Sequence, residues 1–117
     1  MDNGDILDMF SSLGAVNIKR MFGGKGIYYS GLIIALEVDD EILLKADEQS
    51  RADFVEAGCR QWTYQGKSRP VHMPYWSVPN EALDDPDTME KWARLAYEAA
   101  LRGRNSKASR RPEKVRR

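Results

Sequence analysis

The chain has 117 residues, 42% hydrophobic and 31% charged, which fits one soluble domain with its own core and leaves no length for a second. Its single cysteine, Cys59, excludes an internal disulfide and suits a reducing compartment. The longest apolar run, residues 32–36, is too short to cross a bilayer, and residues 1–5 lack the pattern of a signal peptide, so the expectation is a cytoplasmic protein with no membrane partner.

Asn3 suits the cap of a first helix that shows Ile6, Leu7, Phe10 and Leu13 on one face and stops at Gly14. Val16 and Ile18 lead into Arg20-Met21-Phe22-Gly23-Gly24-Lys25-Gly26-Ile27, eight residues with three glycines. That density of glycine predicts a bulged bend between strands. Strands follow at 27–29, 32–38 and 42–45, with turns at Ser30-Gly31 and Asp39-Asp40. Asp47 caps a second helix that runs to Gly58 with Phe54 and Val55 inward.

A hairpin then passes from Trp62-Thr63-Tyr64 through Gly66-Lys67 to residues 72–78. Pro70, Pro74 and Pro79 cannot donate to a ladder, which places its second strand at an edge or on a bulge. Asp84-Asp85-Pro86-Asp87 opens the last helix, where Met89, Trp92, Ala93, Ala96, Ala99 and Ala100 keep helical spacing as far as Arg102-Gly103. The order α-β-β-β-α-β-β-α predicts an α+β fold: a two-layer α/β sandwich, its mainly antiparallel five-stranded sheet carrying helices on one face.

The domain is expected to span 1–102, and residues 103–117 to form a disordered basic tail, because they offer almost no apolar surface to bury. Residues 1–101 carry 10 basic against 17 acidic side chains, whereas residues 102–117 carry 8 against 1. Arg102, Arg104, Lys107, Arg110, Arg111, Lys114, Arg116 and Arg117 are therefore candidates for weak, nonspecific nucleic-acid binding. Fold-back onto the acidic body is the competing reading.

Gly23-Gly24-Lys25-Gly26 invites comparison with a phosphate cradle, so a small ligand-binding protein or enzyme is one alternative. A P-loop, however, needs four residues between its first glycine and the Gly-Lys pair, then Ser or Thr. His72 and Cys59 stand thirteen residues apart without further His or Cys partners. No catalytic residue, metal or cofactor is assigned on that basis. Asp84, Asp85 and Asp87 are explained by capping, and Asp39 and Asp40 by a turn.

Among Trp62, Tyr64, Tyr75 and Trp76, strand alternation sends Tyr75 and Trp76 to opposite faces. One of the two should pack beneath the helices; the other either stands exposed as an anchor for protein contact or is covered as well, by helix ends or loops. Arg20 and Lys25 flank Phe22 as a cationic corner that salt bridges to the acidic body would also explain.

Several blocks resemble the N-terminal domain of the TfoX/Sxy family. They are Arg20-Met21-Phe22-Gly23-Gly24 with Gly26-Ile27-Tyr28, Leu43-Leu44-Lys45-Ala46-Asp47, Met73-Pro74-Tyr75-Trp76-Ser77-Val78-Pro79, and Asp84-Asp85-Pro86 leading to Trp92-Ala93. The resemblance implies a two-layer α/β domain of the order just read, without known catalytic residues, in a family that includes bacterial competence regulators. A noncatalytic interaction or regulatory domain is therefore expected, acting through protein contacts at Arg20, Phe22, Gly23, Gly24, Lys25, Tyr75 and Trp76. Its partner would be a protein such as a transcription regulator, or a second copy of the chain paired through a strand edge. Competence regulators of this type carry a further C-terminal helical domain thought to contact DNA. A basic tail stands in that place here, which argues against a direct transcriptional role.

Overall fold

A computed structural model describes the backbone of residues 1–21 and 23–115, and side chains as far as residue 106. The elements are α1 (Asn3–Met9), β1 (Asn17–Met21), β2 (Gly24–Tyr29), β3 (Leu32–Val38), β4 (Glu41–Lys45), α2 (Arg51–Glu56), β5 (Gln61–Gln65), β6 (Pro70–Ser77), α3 (Asn80–Leu83) and α4 (Pro86–Val115). The strands form one antiparallel sheet in the order β1-β2-β3-β4-β6-β5. The α+β class is as the sequence reads, with six strands instead of five.

The additional strand is β1. Met21 pairs with Gly24, so the segment expected to be a bulged bend is the tight end of a hairpin. Gly23 sits at φ 65°, a conformation that favours glycine. β1 escapes recognition because it is an outer strand, mostly exposed, with Ile18 as its one inward apolar residue. The register shift lies further on, where Ile27 and Tyr28 of β2 pair with Ala35 and Ile33, so the extra residue, Ile34, is on β3.

All four helices lie on one face of the sheet, and a single core joins the two layers. Ile6, Phe10, Phe54, Ala82, Met89, Trp92, Ala93 and Ala96 pack from the helical side onto Ile27, Ile34, Ala35, Ile42, Leu44 and Trp76. The alanines of α4 let its axis approach β3 and β4 closely. Phe54 anchors α2 between Trp76 and Trp92, with ring centroids 6.3 and 5.1 Å away.

Local signals work as the sequence implies, with shifts of a residue or two. Asp2, not Asn3, caps α1 by accepting the Asp5 N–H at 2.8 Å. Asp85 caps α4 through the N–H groups of Asp87 and Thr88 and the Thr88 hydroxyl, and these bonds hold its carboxyl below the usual range. Asp47 closes a turn ahead of α2 by accepting the Ser50 N–H at 3.0 Å.

Two expected core residues face solvent instead: Leu7 is 45% and Val55 56% exposed. Both short helices present only a narrow inward stripe, filled by Ile6 and Phe54. Gly103 does not end the last helix. Its backbone continues as helix to Val115, and a single glycine costs a helix only about 1 kcal/mol.

Candidate functional site

The face of the sheet away from the helices holds a second apolar cluster. Leu36, Leu43 and Tyr75 are buried there, with Ile33, Val38, Trp62 and Met73 packed around them. Their placement follows from register: the row Lys19–Gly26–Leu36–Leu43 runs across four strands, and Lys45 pairs with Tyr75 in the neighbouring row. Among the described residues no helix contributes to this cluster, although Ala100, Gly103 and Arg104 of α4 share a depression with Leu32, Ile33 and Lys45 at one end of the strands.

Lysine and aromatic side chains provide what cover the cluster has. Lys19 Nζ lies 4.9 Å from the centre of the Tyr28 ring, and Lys45 Nζ lies 5.7 Å from that of Tyr75. At the other end the Trp62 and Tyr64 rings lie 6.0 Å apart, tilted by 42°, with Tyr64 46% exposed. Met21, 39% exposed, lies at the opposite margin, on the row that joins Gly24 and Val38.

Both faces of the sheet are therefore apolar, and the sequence carries a sign of this. Residues 32–36 and 42–44 are apolar at consecutive positions, where a half-exposed antiparallel strand would alternate. Tyr75 and Trp76 do point to opposite faces, yet each is only 7% exposed. Neither is a protruding anchor: both rings are covered, the second of the two readings, because each face has its own cluster to receive one ring. Burial also raises the Tyr75 phenol above its ordinary pKa.

The glycine-rich hairpin is occupied with holding the fold. Lys25 Nζ donates to the Met1 carbonyl and to Asn3 Oδ1, each at 2.8 Å, and so pins the start of α1 to β2. Its partners are a carbonyl and an amide, not the carboxylates expected. A Cβ on Gly24 would stand 2.1 Å from the Glu37 carbonyl oxygen, so glycine is required for β2 and β3 to approach. Arg20 is exposed and shares a shallow depression with Asp2, Asn3, Ile18 and Lys25. Phe22 lies outside the described residues.

Of the basic series, Arg102 is not part of a free tail. Its guanidinium makes two bonds to the Asp47 carboxylate, at 2.7 and 2.9 Å. Arg104 is exposed. The side chains of Lys107, Arg110, Arg111 and Lys114 lie outside the described residues, as do Arg116 and Arg117 entirely.

A cleft of about 360 Å³ on the helical side is lined by Cys59, Arg60, Glu41, Ser77 and Leu83, among others. Arg60 pairs with Glu41 at 2.5 Å across it. Burial pushes the Cys59 thiol up, away from the thiolate a nucleophile needs. His72 hydrogen-bonds the Thr63 hydroxyl at 3.0 Å on the outer hairpin. Among the described residues, no group of three or more His, Cys, Asp or Glu could hold a metal ion, and no helix is long and apolar enough to cross a membrane.

In class, this is a small antiparallel α+β domain with helices on one side and an aromatic, lysine-edged sheet face on the other. The family model described as the TfoX N-terminal domain matches residues 8–100, and the chain belongs to that family. Among curated proteins none matches the sequence significantly.

Proposed function

We propose that this chain is a noncatalytic, regulatory interaction domain that docks a protein partner, such as a transcription regulator, on the helix-free face of its sheet. The observation that carries this reading is the second apolar cluster, to which no helix contributes among the described residues. Burying such a face is the principal driving force for association, and aromatic side chains at its margin make effective anchors. Tyr64 and Met21 are the exposed contacts at its two ends.

Site-specific photocrosslinking in cells tests it. A photoreactive residue at Tyr64 or Met21 should trap one defined protein, whereas the same residue at Val55, exposed and apolar on the helical side, should not. The purified complex should then weaken at least tenfold with Trp62→Ala, the loss of one anchor. Equal trapping at both faces, or none at either, rejects the reading.

A second reading rests on the 8-to-1 excess of basic over acidic residues in 102–117. Arg104, Lys107, Arg111 and Lys114 recur every three or four residues along α4, a spacing that suits a phosphate backbone. Duplex binding that falls with a log–log salt slope of about −3.6, and disappears when these four become Gln, is its expected signature. Salt-independent or undetectable binding removes it.

A further inference from the structure

The sheet has two outer strands, β1 and β5, and they differ as surfaces for pairing. On β1 the neighbours Lys19 and Arg20 bring like charges face to face in any antiparallel self-pairing centred near them, which disfavours it. β6 overhangs the end of β4, so part of its far edge is open as well. That edge presents Pro70 and Pro74, which have no N–H to donate.

β5 has neither safeguard. Its sequence, Gln61-Trp62-Thr63-Tyr64-Gln65, is uncharged, free of proline, and symmetric in residue type about Thr63. It is also regular: pairing jumps from His72 to Trp76 on β6 while β5 advances only from Thr63 to Gln61, so the extra residues lie on β6. At one end the Arg60 carbonyl accepts the Ser77 N–H, and at the other the Gly66 N–H donates to the Arg69 carbonyl. Alternation between these inward-facing residues turns the N–H and C=O groups of Gln61, Thr63 and Gln65 outward.

From this geometry we propose that β5 pairs antiparallel with β5 of a second copy of the chain, about a twofold axis at Thr63. Thr63 then exchanges two backbone hydrogen bonds with its counterpart, and Gln61 meets Gln65, so all three outward-facing residues are satisfied by about six interchain bonds. Trp62 falls opposite Tyr64 of the other copy at a closely spaced pair, extending the tilted aromatic pair already present within each chain. Arg60 falls opposite Gly66, so no like charges meet.

The second copy also supports a ribbon that is otherwise marginal, since the outer part of the β5–β6 hairpin has no third strand beside it. The two helix-free faces become continuous across the axis. With only 5 residues of each copy engaged, the dimer belongs to the weak, reversible class. It forms whichever partner the open face takes.

The test is sedimentation of the full chain from about 1 to about 500 μM, beside Thr63→Pro and Thr63→Lys. Thr63→Pro removes an N–H that points outward, leaving the ladder to β6 intact, and Thr63→Lys sets two ammonium groups face to face across the axis. The expected result is a concentration-dependent dimer for the parent chain and a shift of at least tenfold toward monomer for both variants, with circular dichroism unchanged. If Thr63→Pro does not fold, Thr63→Lys decides. A parent chain that stays monomeric throughout, or a dimer that persists in Thr63→Lys, overturns the proposal.

Discussion

Arg102 grips Asp47 across 55 residues of sequence, donating from Nε to Oδ2 at 2.7 Å and from Nη2 to Oδ1 at 2.9 Å. The same carboxylate accepts the Ser50 N–H and hydroxyl, so one side chain ties α4 to the turn that starts α2. A residue that reads as the first cation of a nucleic-acid-binding tail is thus part of the fold. Two parallel bonds to a carboxylate use the guanidinium fork as no lysine can.

This pair gives the protein a pH dependence of defined sign. The Arg102 guanidinium, helped by the Ser50 bonds and opposed by burial, holds the Asp47 carboxyl at about 2, below its ordinary 3.8. The stability it contributes is complete above the ordinary value and is lost as pH falls through about 2. Asp47→Asn keeps an acceptor for Ser50 and removes the charge. With each side chain about a third exposed, the expected loss at pH 7 is about 1 kcal/mol. Urea titrations should show that difference shrinking between pH 4 and pH 2; a constant difference would mean the charge is irrelevant.

Three glycines should respond in opposite directions to alanine. Gly24→Ala drives a methyl into the Glu37 carbonyl and should cost about 3 kcal/mol. Gly23→Ala meets open space but is strained at φ 65°, a loss of about 1–2 kcal/mol. Gly103→Ala, inside α4 with no neighbour within 4 Å, should gain about 0.5–1 kcal/mol. Thermal melts of the three variants check the ranking, and a destabilising Gly103→Ala would contradict a helix through that point.

The aromatic residues divide into packing and surface. Trp76→Ala, at 7% exposure and in contact with Phe54, should cost about 3–5 kcal/mol and leave little folded protein at 37 °C. Tyr64→Ala, 46% exposed, should cost under about 1 kcal/mol. Denaturant unfolding separates them, and similar losses for both would place the outer hairpin in the cooperative core.

Lys25 is spent on structure, so phosphate should find no site at the glycine-rich hairpin. Lys25→Gln should cost about 1 kcal/mol and speed amide exchange in α1. Adding phosphate should leave the melting temperature of the parent chain unchanged. A Lys25-dependent rise would restore the anion-cradle reading.

Much of this architecture is legible in the residues themselves, because the signals are local. The Asp85 cap, the turns at Ser30-Gly31 and Asp39-Asp40 and the alanine stripe of α4 each act within a few residues. So does the glycine requirement at 23, which takes the form of a hairpin end and not of a bulge, whereas the one at 24 comes from Glu37 on β3. β1 and α3 were illegible because one is an outer strand with a single inward apolar residue and the other spans only four residues.

What the sequence by itself determined is that residues 32–36 and 42–44 must be covered on both sides, since every position there is apolar. Only the tertiary structure decided how that demand is met. It set all the helices on one face, gave Trp76 to them and Tyr75 to the other, and took Arg102 out of the basic tail. The reason is physical: each of these outcomes depends on which distant segment arrives alongside, and pairing between distant segments leaves no local trace in the chain.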